Sequence, residues 1–530
     1  MKRIIVAAFL AALAVEAGAQ NWMDALDYAG NDYLGSARSV GMGNAMTAVG
    51  GDLGSLTFNP AGSAVAGYSQ FTITPGLSVA SVFGQGTLVD GAPYGFQNAV
   101  KTRSNRFQMP NFGAVVAYDT RNKSGLKRVT FGMVGNMTRN YNYRYTASGT
   151  NTETSLAGSF GSQADGYPIS VMEGSYDQYD APSWETMTGY AAGIINPFAN
   201  DRYYGLTERV LSGGKVALAD EIGQLYRRER QGSKYDLLMN LGLNFSDYLY
   251  VGGNIGISMI SMALEETRGE DALSGGNYPA GFQSLRSTTL IEDNGSGIYA
   301  KIGFLARPFD GLRIGAAIQT PTLFEFHEAY RVEARSSATG RDRKDMSASV
   351  DDEFYYNLKT PMRFNAGVAY TFGKVAILSA DYELCDYSKT AFRTDVDTDP
   401  IDFSWENDNL KNFACASHSI RVGGELKPSP EMAIRVGYNY TTSPEIDTKA
   451  SRQAVSFGLG YSSPGSFFAD FAVRFQYLPD ELITPYYYYY STGNYSDHTL
   501  SHTIDQSVVT PQIGFQTSVC NALLTLGWRF

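Results

Sequence analysis

Apolar residues recur at every second position along fourteen separate stretches of this chain. The clearest stretch carries them at Tyr235, Leu237, Met239, Leu241, Leu243 and Phe245. Successive side chains of a β-strand point to opposite faces, so each stretch predicts a strand with one continuous apolar face. The stretches cover residues 71–79, 112–118, 129–145, 235–245, 249–259, 298–306, 312–318, 364–372, 376–382, 420–426, 434–440, 455–461, 469–477 and 524–530.

A transmembrane β-barrel and a soluble β-sandwich both produce such alternation, because each has strands with one apolar face. Two features favour the barrel. The opposite face is rich in Gly, Asn, Ser and Thr with few charges, and short turns such as Ser246-Asp247 and Gly373-Lys374 alternate with long connections, the largest at residues 146–234. We therefore predict an all-β, 14-stranded antiparallel transmembrane barrel over residues 68–530, with long extracellular loops and both termini in the periplasm.

The ends of the chain indicate export to the outer membrane of a Gram-negative bacterium. Lys2 and Arg3 precede an apolar run and the small residues at 17–19, which together predict a signal peptide over residues 1–19. Its apolar run is too short to span a bilayer, and no later run reaches 18 apolar residues, which excludes a helical membrane protein. Phe530, with Trp528 at the alternate position, resembles the C-terminal signal read by the barrel assembly machinery.

Composition excludes several other functions. The net charge of -11 argues against a nucleic-acid partner. Three cysteines cannot form a disulfide framework, although a bond between Cys385 and Cys415 stays open. His498 and His502 have a helical metal-ligand spacing, but they lie in a predicted loop without a third ligand, so we expect no metal and no cofactor.

Two further clusters are assigned to structure rather than chemistry. We interpret the five tyrosines at 486–490 as the upper aromatic girdle of the last strands, in preference to a platform for sugars or lipid headgroups. Glu265 and Glu266 are adjacent, so a strand would point them to opposite faces. No serine, histidine and aspartate set or carboxylate pair stands out, and we predict that the protein is not an enzyme.

The segment before the first strand, residues 20–67, is small, glycine-rich and weakly helical. A barrel of this size has an interior wider than its own side chains fill. We therefore expect this segment to lie inside the barrel as a plug, or hatch.

This segment resembles the hatch of the FadL long-chain fatty acid transporters and their TodX-like hydrocarbon relatives. The resemblance rests on the Gly-x-Gly-x-Ala-x-x-Ala pattern from Gly41 to Ala48, followed by Asp52 and by the triplet at 59–61. It implies a fourteen-stranded monomeric barrel with an N-terminal hatch. It also implies passive uptake of hydrophobic compounds through capture by the loops, a pocket beside the hatch, and exit that can be lateral at a kinked strand.

The resemblance further implies the site residues, each of which could instead serve packing alone. The hatch set is Asn59, Pro60, Ala61, Gly62, Gly41 and Gly43, and the mature N-terminus that reaches the ligand pocket is Gln20, Asn21 and Trp22. A capture groove in the longest loop comprises Trp184, Met187, Tyr190, Ile194, Ile195 and Phe198. A helix-like run over residues 208–230 follows the groove and is equally consistent with an amphipathic structural cap.

Three classes of function follow. The favoured one is uptake of hydrophobic compounds, with long-chain fatty acids as the ligand. The alternative is an outer-membrane scaffold, since a distant Bacteroidetes relative of the family shuttles cargo proteins in a secretion system. The third class, a barrel enzyme, is less favoured, and so is haem binding. An apolar tunnel would indicate the first class, a solid plugged lumen the second, and polar groups clustered at the rim an enzyme.

Overall fold

The computed structural model describes residues 21–89, 92–93, 95–176, 181–199, 201–394, 401–446, 448 and 450–530. Gln20 and the predicted signal peptide therefore lie outside the described residues. Within these ranges no helix is both long enough and apolar enough to cross a membrane.

One closed antiparallel sheet forms a barrel of fourteen strands, five of which are interrupted. They are β1 (Gln70–Gly86), β2 (Val100–Asp119), β3 (Leu126–Asn140 and Tyr143–Asn151), β4 (Ile222–Phe245), β5 (Leu249–Ala272), β6 (Phe282–Ala306), β7 (Leu312–Gln319 and Leu323–Ala338), β8 (Asp345–Lys359 and Arg363–Phe372), β9 (Ala376–Asp386 and Ala391–Thr394), β10 (Ala416–Leu426), β11 (Met432–Thr442), β12 (Ser451–Ser462), β13 (Phe467–Tyr477 and Glu481–Ile483) and β14 (Ile513–Arg529). Pairing of β1 with β14 closes the barrel, which confirms the predicted architecture.

The period-two pattern has the predicted physical meaning. On β6, Ile302 is 64% exposed on the outer face, whereas its neighbour Lys301 is 2% exposed and points inward. The same alternation runs around the barrel, and the outward residues form an apolar band for contact with lipid. The inward faces of the later strands carry buried arginines and carboxylates, so the expectation of few charges there was wrong.

Short turns collect at one end of the barrel and long connections at the other. Gln70 at the start of β1 pairs with Arg529 at the end of β14, so both strand ends lie at the short-turn end. At the opposite end, β3 and β4 continue beyond the apolar band, and the connection between them covers residues 152–221. We refer to this connection, with the residues that pack on it, as the dome.

The remaining elements lie inside the barrel, in the dome or in other long connections. The helices are α1 (Trp22–Ala29), α2 (Ala37–Gly41), α3 (Leu156–Ala164), α4 (Ile169–Met172), α5 (Trp184–Ala191) and α6 (Ser404–Phe413), with 3-10 turns at Leu53–Thr57, Pro60–Val65, Pro279–Gly281, Tyr387–Lys389 and Tyr495–Asp497. Short strands occur at Leu88–Val89, Ala92–Pro93, Ile195–Ala199, Arg202–Gly205, Glu208–Val210, Val216–Leu218, Tyr489–Thr492 and Ser501–Ile504.

The prediction of a helix-like run over residues 208–230 was wrong. These residues form a hairpin of Glu208–Val210 with Val216–Leu218 and then the start of β4. Pairing of β4 with β5 and with the second segment of β3 satisfies the backbone there. Such tertiary pairing outweighs a weak local helical preference.

Candidate functional site

The N-terminal segment, residues 21–66, fills the lumen, and the triplet singled out in the sequence joins it to the wall. The side-chain amide of Asn59 donates hydrogen bonds of 2.8 Å to the carbonyls of Thr47 and Phe304, the latter on β6. The carbonyl of Pro60 accepts a 2.9 Å hydrogen bond from Asn240 on β4. Ala61 is fully buried. The three residues therefore dock the segment onto the inner face of the barrel.

Inward-facing glycines let this segment approach the wall at backbone distance. A Cβ at Gly252 would lie 2.5 Å from the carbonyl carbon of Pro60, and one at Gly437 would lie 2.0 Å from the amide nitrogen of Gly43. Gly43 itself has a φ of +61°, which favours glycine. The same close approach to backbone atoms occurs at Gly315 and Gly423, and a Cβ at Gly303 would meet the side-chain oxygen of Asn59. The glycine-rich polar face of the strands is thus explained by what lies against it.

The other predicted hatch residues have packing or capping roles. Gly41 approaches the backbone of Gly458 on β12, where a Cβ would lie 3.2 Å from the Cα of that glycine. Gly62 donates its N–H to the carbonyl of Asn59 at 3.0 Å. Asn21 caps α1 through a 3.1 Å hydrogen bond that its side chain accepts from Met23.

Helix α1 occupies a largely apolar chamber that also contains the buried carboxylates of Asp293 and Glu328, hydrogen-bonded to Tyr28 and Tyr356, and we call it the α1 pocket. Trp22 is 7% exposed and its ring centroid lies 5.8 Å from that of Phe413 on α6. Tyr28 stacks on Phe326 with centroids 5.0 Å apart. The wall of the pocket includes Ile260, Met262, Phe324, Phe326, Tyr356, Leu358, Tyr387, Phe392 and Phe403. Of the predicted N-terminal residues, Trp22 is therefore in an apolar environment within the lumen.

Asp27 fastens α1 to two neighbouring strands. Its carboxylate forms ion pairs with Arg139 on β3 and with Arg230 on β4, the second at 2.7 Å. Burial opposes ionisation of Asp27, but the two guanidinium groups outweigh it and lower its pKa to about 2. We call this pair of contacts the Asp27 latch.

The barrel wall is incomplete next to the latch. β2 pairs with β3 only over residues 111–119 and 128–136, and the second segment of β3 pairs with β4 instead. That segment turns inward, since a Cβ at Gly84 on the inner face of β1 would lie 2.7 Å from the carbonyl of Thr146. Residues 100–109 of β2 therefore have no backbone ladder partner on this side in the described part of the chain, and we call this break between β2 and the paired edge of β3 and β4 the seam.

Side chains bridge the seam. Arg106 on β2 donates to the side chain of Gln231 on β4, and the hydroxyl of Tyr235 donates a 3.2 Å hydrogen bond to the carbonyl of Met109. Tyr141, at the break in β3, is 1% exposed and belongs to the apolar cluster of the α1 pocket. The pocket thus extends to the inner side of the seam.

The six residues predicted for a capture groove lie in the dome, mostly in its interior. Trp184, Met187, Ile194 and Ile195 are all at most 7% exposed, and Tyr190 and Phe198 are half-buried. Trp184 packs on Tyr330 of β7 with ring centroids 5.6 Å apart. In this structure the four buried residues form part of the dome's core.

Several tyrosines and a histidine that were singled out in the sequence lie in the dome, and two cysteines are free thiols. Tyr486 is 4% exposed in the dome core, with Tyr488 packed against it, so the aromatic-girdle interpretation was wrong for both. His502 stacks on Tyr167 and lies 2.8 Å from the carbonyl of Asp165. No group of three metal-binding side chains occurs among the residues the structure describes. Cys385 and Cys415 are free thiols.

Glu208 is a buried carboxylate in the dome that forms no ion pair within the described ranges. It accepts a 2.8 Å hydrogen bond from the N–H of Gly205, and burial raises its pKa to about 7. Because burial penalises the charged form of Glu208, its contribution to the stability of the dome is fully present below the ordinary pKa of glutamate. That contribution is lost as the pH rises through about 7.

We expect Glu208→Gln to stabilise the dome at pH 8 by about 2–3 kcal/mol and to have little effect at pH 5. The amide keeps an oxygen for the N–H of Gly205 and removes the charge. Hydrogen exchange of residues 155–210 at both pH values measures the effect, with the exposed Glu221→Gln as control. Equal pH dependence in the wild type and the Glu208 variant would contradict it.

Comparison with known proteins identifies the fold. The chain is similar to the crystal structure of a FadL homologue from Pseudomonas aeruginosa, with a TM-score of 0.50 and 12% identity over 94% of this chain and 99% of that one. The toluene transporters TodX of Pseudomonas putida (TM-score 0.47, 12% identity, 93% and 98% covered) and TbuX of Ralstonia pickettii (0.44, 14%, 93% and 98%) also align. No family model and no curated protein matches the sequence. The chain therefore has the fold of the FadL-type outer-membrane barrel, as the residues of its N-terminal segment predicted.

Proposed function

We propose that this protein is an outer-membrane channel for hydrophobic compounds, long-chain fatty acids among them, which move by passive diffusion past an N-terminal hatch. The observation that carries the proposal is the α1 pocket, a largely apolar chamber inside the barrel that is filled by a short helix and reaches the seam. A barrel that binds no ligand would not need such a chamber next to a gap in its wall.

In this mechanism an apolar ligand replaces α1 in the pocket. Trp22, Leu26 and Tyr28 make the helix's apolar contacts with the wall, and a hydrocarbon tail supplies equivalent contacts. A tail that leaves water gains about 0.8 kcal/mol for each CH₂ that is buried. Because α1 has only eight residues, its helical structure depends on the pocket rather than on its own propensity. Exchange of helix for ligand would also break the polar contacts of α1 with the wall, among them Tyr28 with Asp293 and Asp27 with Arg230.

The seam supplies the exit. Its inner side is lined by Tyr141 of the pocket, and its outer side meets the lipid-facing band at Phe107, which is 73% exposed. Separation of the side-chain contacts across the seam would open a path from the pocket into the membrane; these are Arg106 with Gln231, Tyr235 with Met109, and Thr102 with the carbonyl of Arg144. An apolar ligand leaves by this path without crossing an aqueous pore.

The remaining assignments follow from this orientation. The short-turn end and both termini face the periplasm, and the dome faces the exterior of a Gram-negative cell. Trp184, Met187, Tyr190, Ile194, Ile195 and Phe198 would take part in capture when the dome loosens. Asn59, Pro60, Ala61, Gly62, Gly41 and Gly43 hold the hatch in place. The C-terminal strand with Phe530 engages the assembly machinery, and the barrel acts as a monomer.

One observation favours the scaffold alternative. The lumen is filled by the N-terminal segment and by ion pairs, such as that of Arg435 with Asp470 at 2.6 Å. A cavity of about 720 Å³ near the ends of β6, β7 and β8 is lined mainly by serines and charged residues. A permanently filled lumen would suit a partner subunit, so the function depends on whether α1 leaves its pocket.

Ligand binding to the detergent-purified barrel tests this proposal. Native mass spectrometry with added hexadecanoic acid and with toluene should detect a bound apolar molecule. Deletion of residues 21–29 should increase its occupancy, because the competing helix is absent. Ile260→Asn places an amide in the pocket and should lower binding about tenfold, whereas Val210→Asn on the dome surface should not. Absence of binding in both the wild type and the deletion variant would overturn the proposal and favour the scaffold.

A further inference from the structure

A group of cations lies on the outer surface of the barrel, on both sides of the seam. On β2, the side chains of Lys101 and Arg103 are exposed, and Arg106 is exposed at the edge of the seam. On the other side, the side chains of Arg144 on β3 and Arg227 on β4 are 41% and 45% exposed. We call these five residues the basic patch.

The two sides of the basic patch lie next to each other at the same level of the barrel. The hydroxyl of Thr102, between Lys101 and Arg103 in the chain, donates a 2.5 Å hydrogen bond to the carbonyl of Arg144. Arg227 on β4 pairs with the residue two positions beyond Arg144 in β3. Cationic side chains from three strands therefore converge on one surface.

The positive charges of the basic patch exceed the negative charges around it. Glu229 on β4 pairs with both Arg144, at 2.8 Å, and Arg227, at 2.7 Å. Glu265 on β5 faces Glu229 in the strand register. The cations at positions 101 and 103 form no ion pair among the described residues. Five cations thus face two carboxylates, which leaves an excess of three positive charges on this surface.

The outer surface of β6, β7 and β8 carries the reverse charge. Its outward-facing side chains beyond the apolar band include the exposed carboxylates of Glu292, Glu325, Asp351 and Glu353, together with the exposed guanidinium of Arg331. The two signs of charge are therefore segregated around the barrel rather than mixed. An anionic partner at the outer surface would be attracted to the side of the seam.

The basic patch lies directly above the apolar band. Phe107 is 73% exposed, and its cross-strand partner Leu77 on β1 is 46% exposed. Arg103 lies four residues further from the short-turn end of β2. With a rise of about 3.3 Å per residue and a strand tilt of about 40°, this places it about 10 Å above Phe107. The guanidinium groups therefore lie at the level of lipid headgroups when Phe107 and Leu77 contact acyl chains.

We propose that the basic patch binds the phosphate groups of a phosphorylated lipid in the outer leaflet of the membrane. Phosphate oxygens accept charge-assisted hydrogen bonds from guanidinium groups, and each basic side chain near an anionic lipid surface adds to the attraction. The acyl chains of the lipid lie against Phe107 and Leu77, contacts that a free phosphate ion lacks. The inference goes beyond the proposed function, because this lipid stays outside the barrel and is not the compound that passes through it.

Two lipids with the same acyl chains test the basic patch. Wild-type barrel in a nonionic detergent is titrated with diphosphoryl and with monophosphoryl lipid A, and binding is measured by native mass spectrometry. We expect the diphosphoryl form to bind about tenfold more tightly. The double variant Lys101→Gln/Arg103→Gln should remove most of that preference. Both side chains are exposed and form no ion pair in the described residues, so their loss should not destabilise the barrel.

The matched control is the double variant Arg331→Gln/Arg335→Gln, which removes the same charge from the outer surface of β7. It should leave the affinities for both lipids unchanged. Equal binding of the two lipids to the wild type would overturn the inference, because acyl chains alone would then account for binding. Equal losses of affinity in the two double variants would also overturn it, because they would indicate attraction by the overall charge of the barrel.

Competition separates this inference from the proposed function. Saturating hexadecanoic acid should leave the binding of lipid A unchanged, because the basic patch lies on the outside of the barrel. Displacement of lipid A by hexadecanoic acid would overturn the inference, since it would place the lipid inside the lumen. Binding of lipid A at the basic patch by a barrel that binds no hexadecanoic acid would support the inference and count against the proposed function alone.

Discussion

Gly252→Leu should expel the N-terminal segment from the barrel. At this inward position a Cβ would lie 2.5 Å from both the carbonyl carbon and the carbonyl oxygen of Pro60, and 2.6 Å from the amide nitrogen of Ala61. All three are backbone atoms of a segment held by hydrogen bonds on both sides, so they cannot move aside as a flexible side chain would. We expect a loss of at least about 3 kcal/mol in docking of the segment.

Trypsin gives a direct readout, because Arg38 is the only lysine or arginine in residues 21–66. In the native structure Arg38 pairs with Glu425 at 3.0 Å inside the lumen. The Gly252 variant should be cleaved after Arg38 while the barrel keeps its rapid migration in unheated gels.

The matched control is Gly253→Leu. The neighbouring residue faces lipid, and the nearest atom to a Cβ there is the carbonyl oxygen of Lys301 at 3.8 Å. This variant should resist trypsin like the wild type. Equal protection of Arg38 in the two variants would show that the close approach at Pro60 does not hold the segment in place.

The strands could be read from the sequence because they depend on local pattern. Lipid contact imposes apolar residues at every second position, and residues 235–245 display that rule without interruption. The hatch role of Asn59 and Pro60 was instead implied by the resemblance to a known family, because the small residues around them indicate only close packing.

The parts that could not be predicted depend on partners far apart in the chain. Asp27 meets Arg230 across more than 200 residues, and nothing near either residue signals the pair. The break in β3 was hidden because Tyr141, Tyr143 and Tyr145 continue the period-two pattern through it. The backbone turns inward there, with Gly232 opposite at a φ of +134° and its carbonyl accepting from the N–H of Tyr141 at 3.1 Å. Such a turn is determined by strand pairing, not by side-chain alternation.

Asp27→Asn should release α1 from its pocket. The substitution removes the shared carboxylate of the Asp27 latch and leaves Arg139 and Arg230 facing each other without a counter-ion. Removal of one partner from such a pair costs about 3 kcal/mol, which corresponds to roughly a hundredfold faster opening of α1. Hydrogen exchange of residues 21–30 measures this opening.

Asp24→Asn is the matched control, because it makes the same change on the same helix. No ion pair of Asp24 occurs in the described residues, and burial raises its pKa to about 6, so loss of its charge should not loosen α1.

The Asp27 latch also has a defined pH range. Since Asp27 has a lowered pKa of about 2, its contribution is complete above the ordinary aspartate pKa and is lost only as the pH falls towards 2.

The latch connects the pocket to the seam, since Arg139 lies at the end of the first segment of β3 and Arg230 lies on β4 opposite the start of the second segment. If α1 competes with the ligand, its release raises the fraction of barrels with an open pocket and therefore the apparent affinity. Asp27→Asn should then bind hexadecanoic acid more tightly and release it faster into a lipid bilayer, while Asp24→Asn matches the wild type. Faster hydrogen exchange of α1 without any gain in affinity for hexadecanoic acid would contradict this mechanism, because it would show that α1 does not compete with the ligand. The α1 pocket would then be a packing site rather than a binding site.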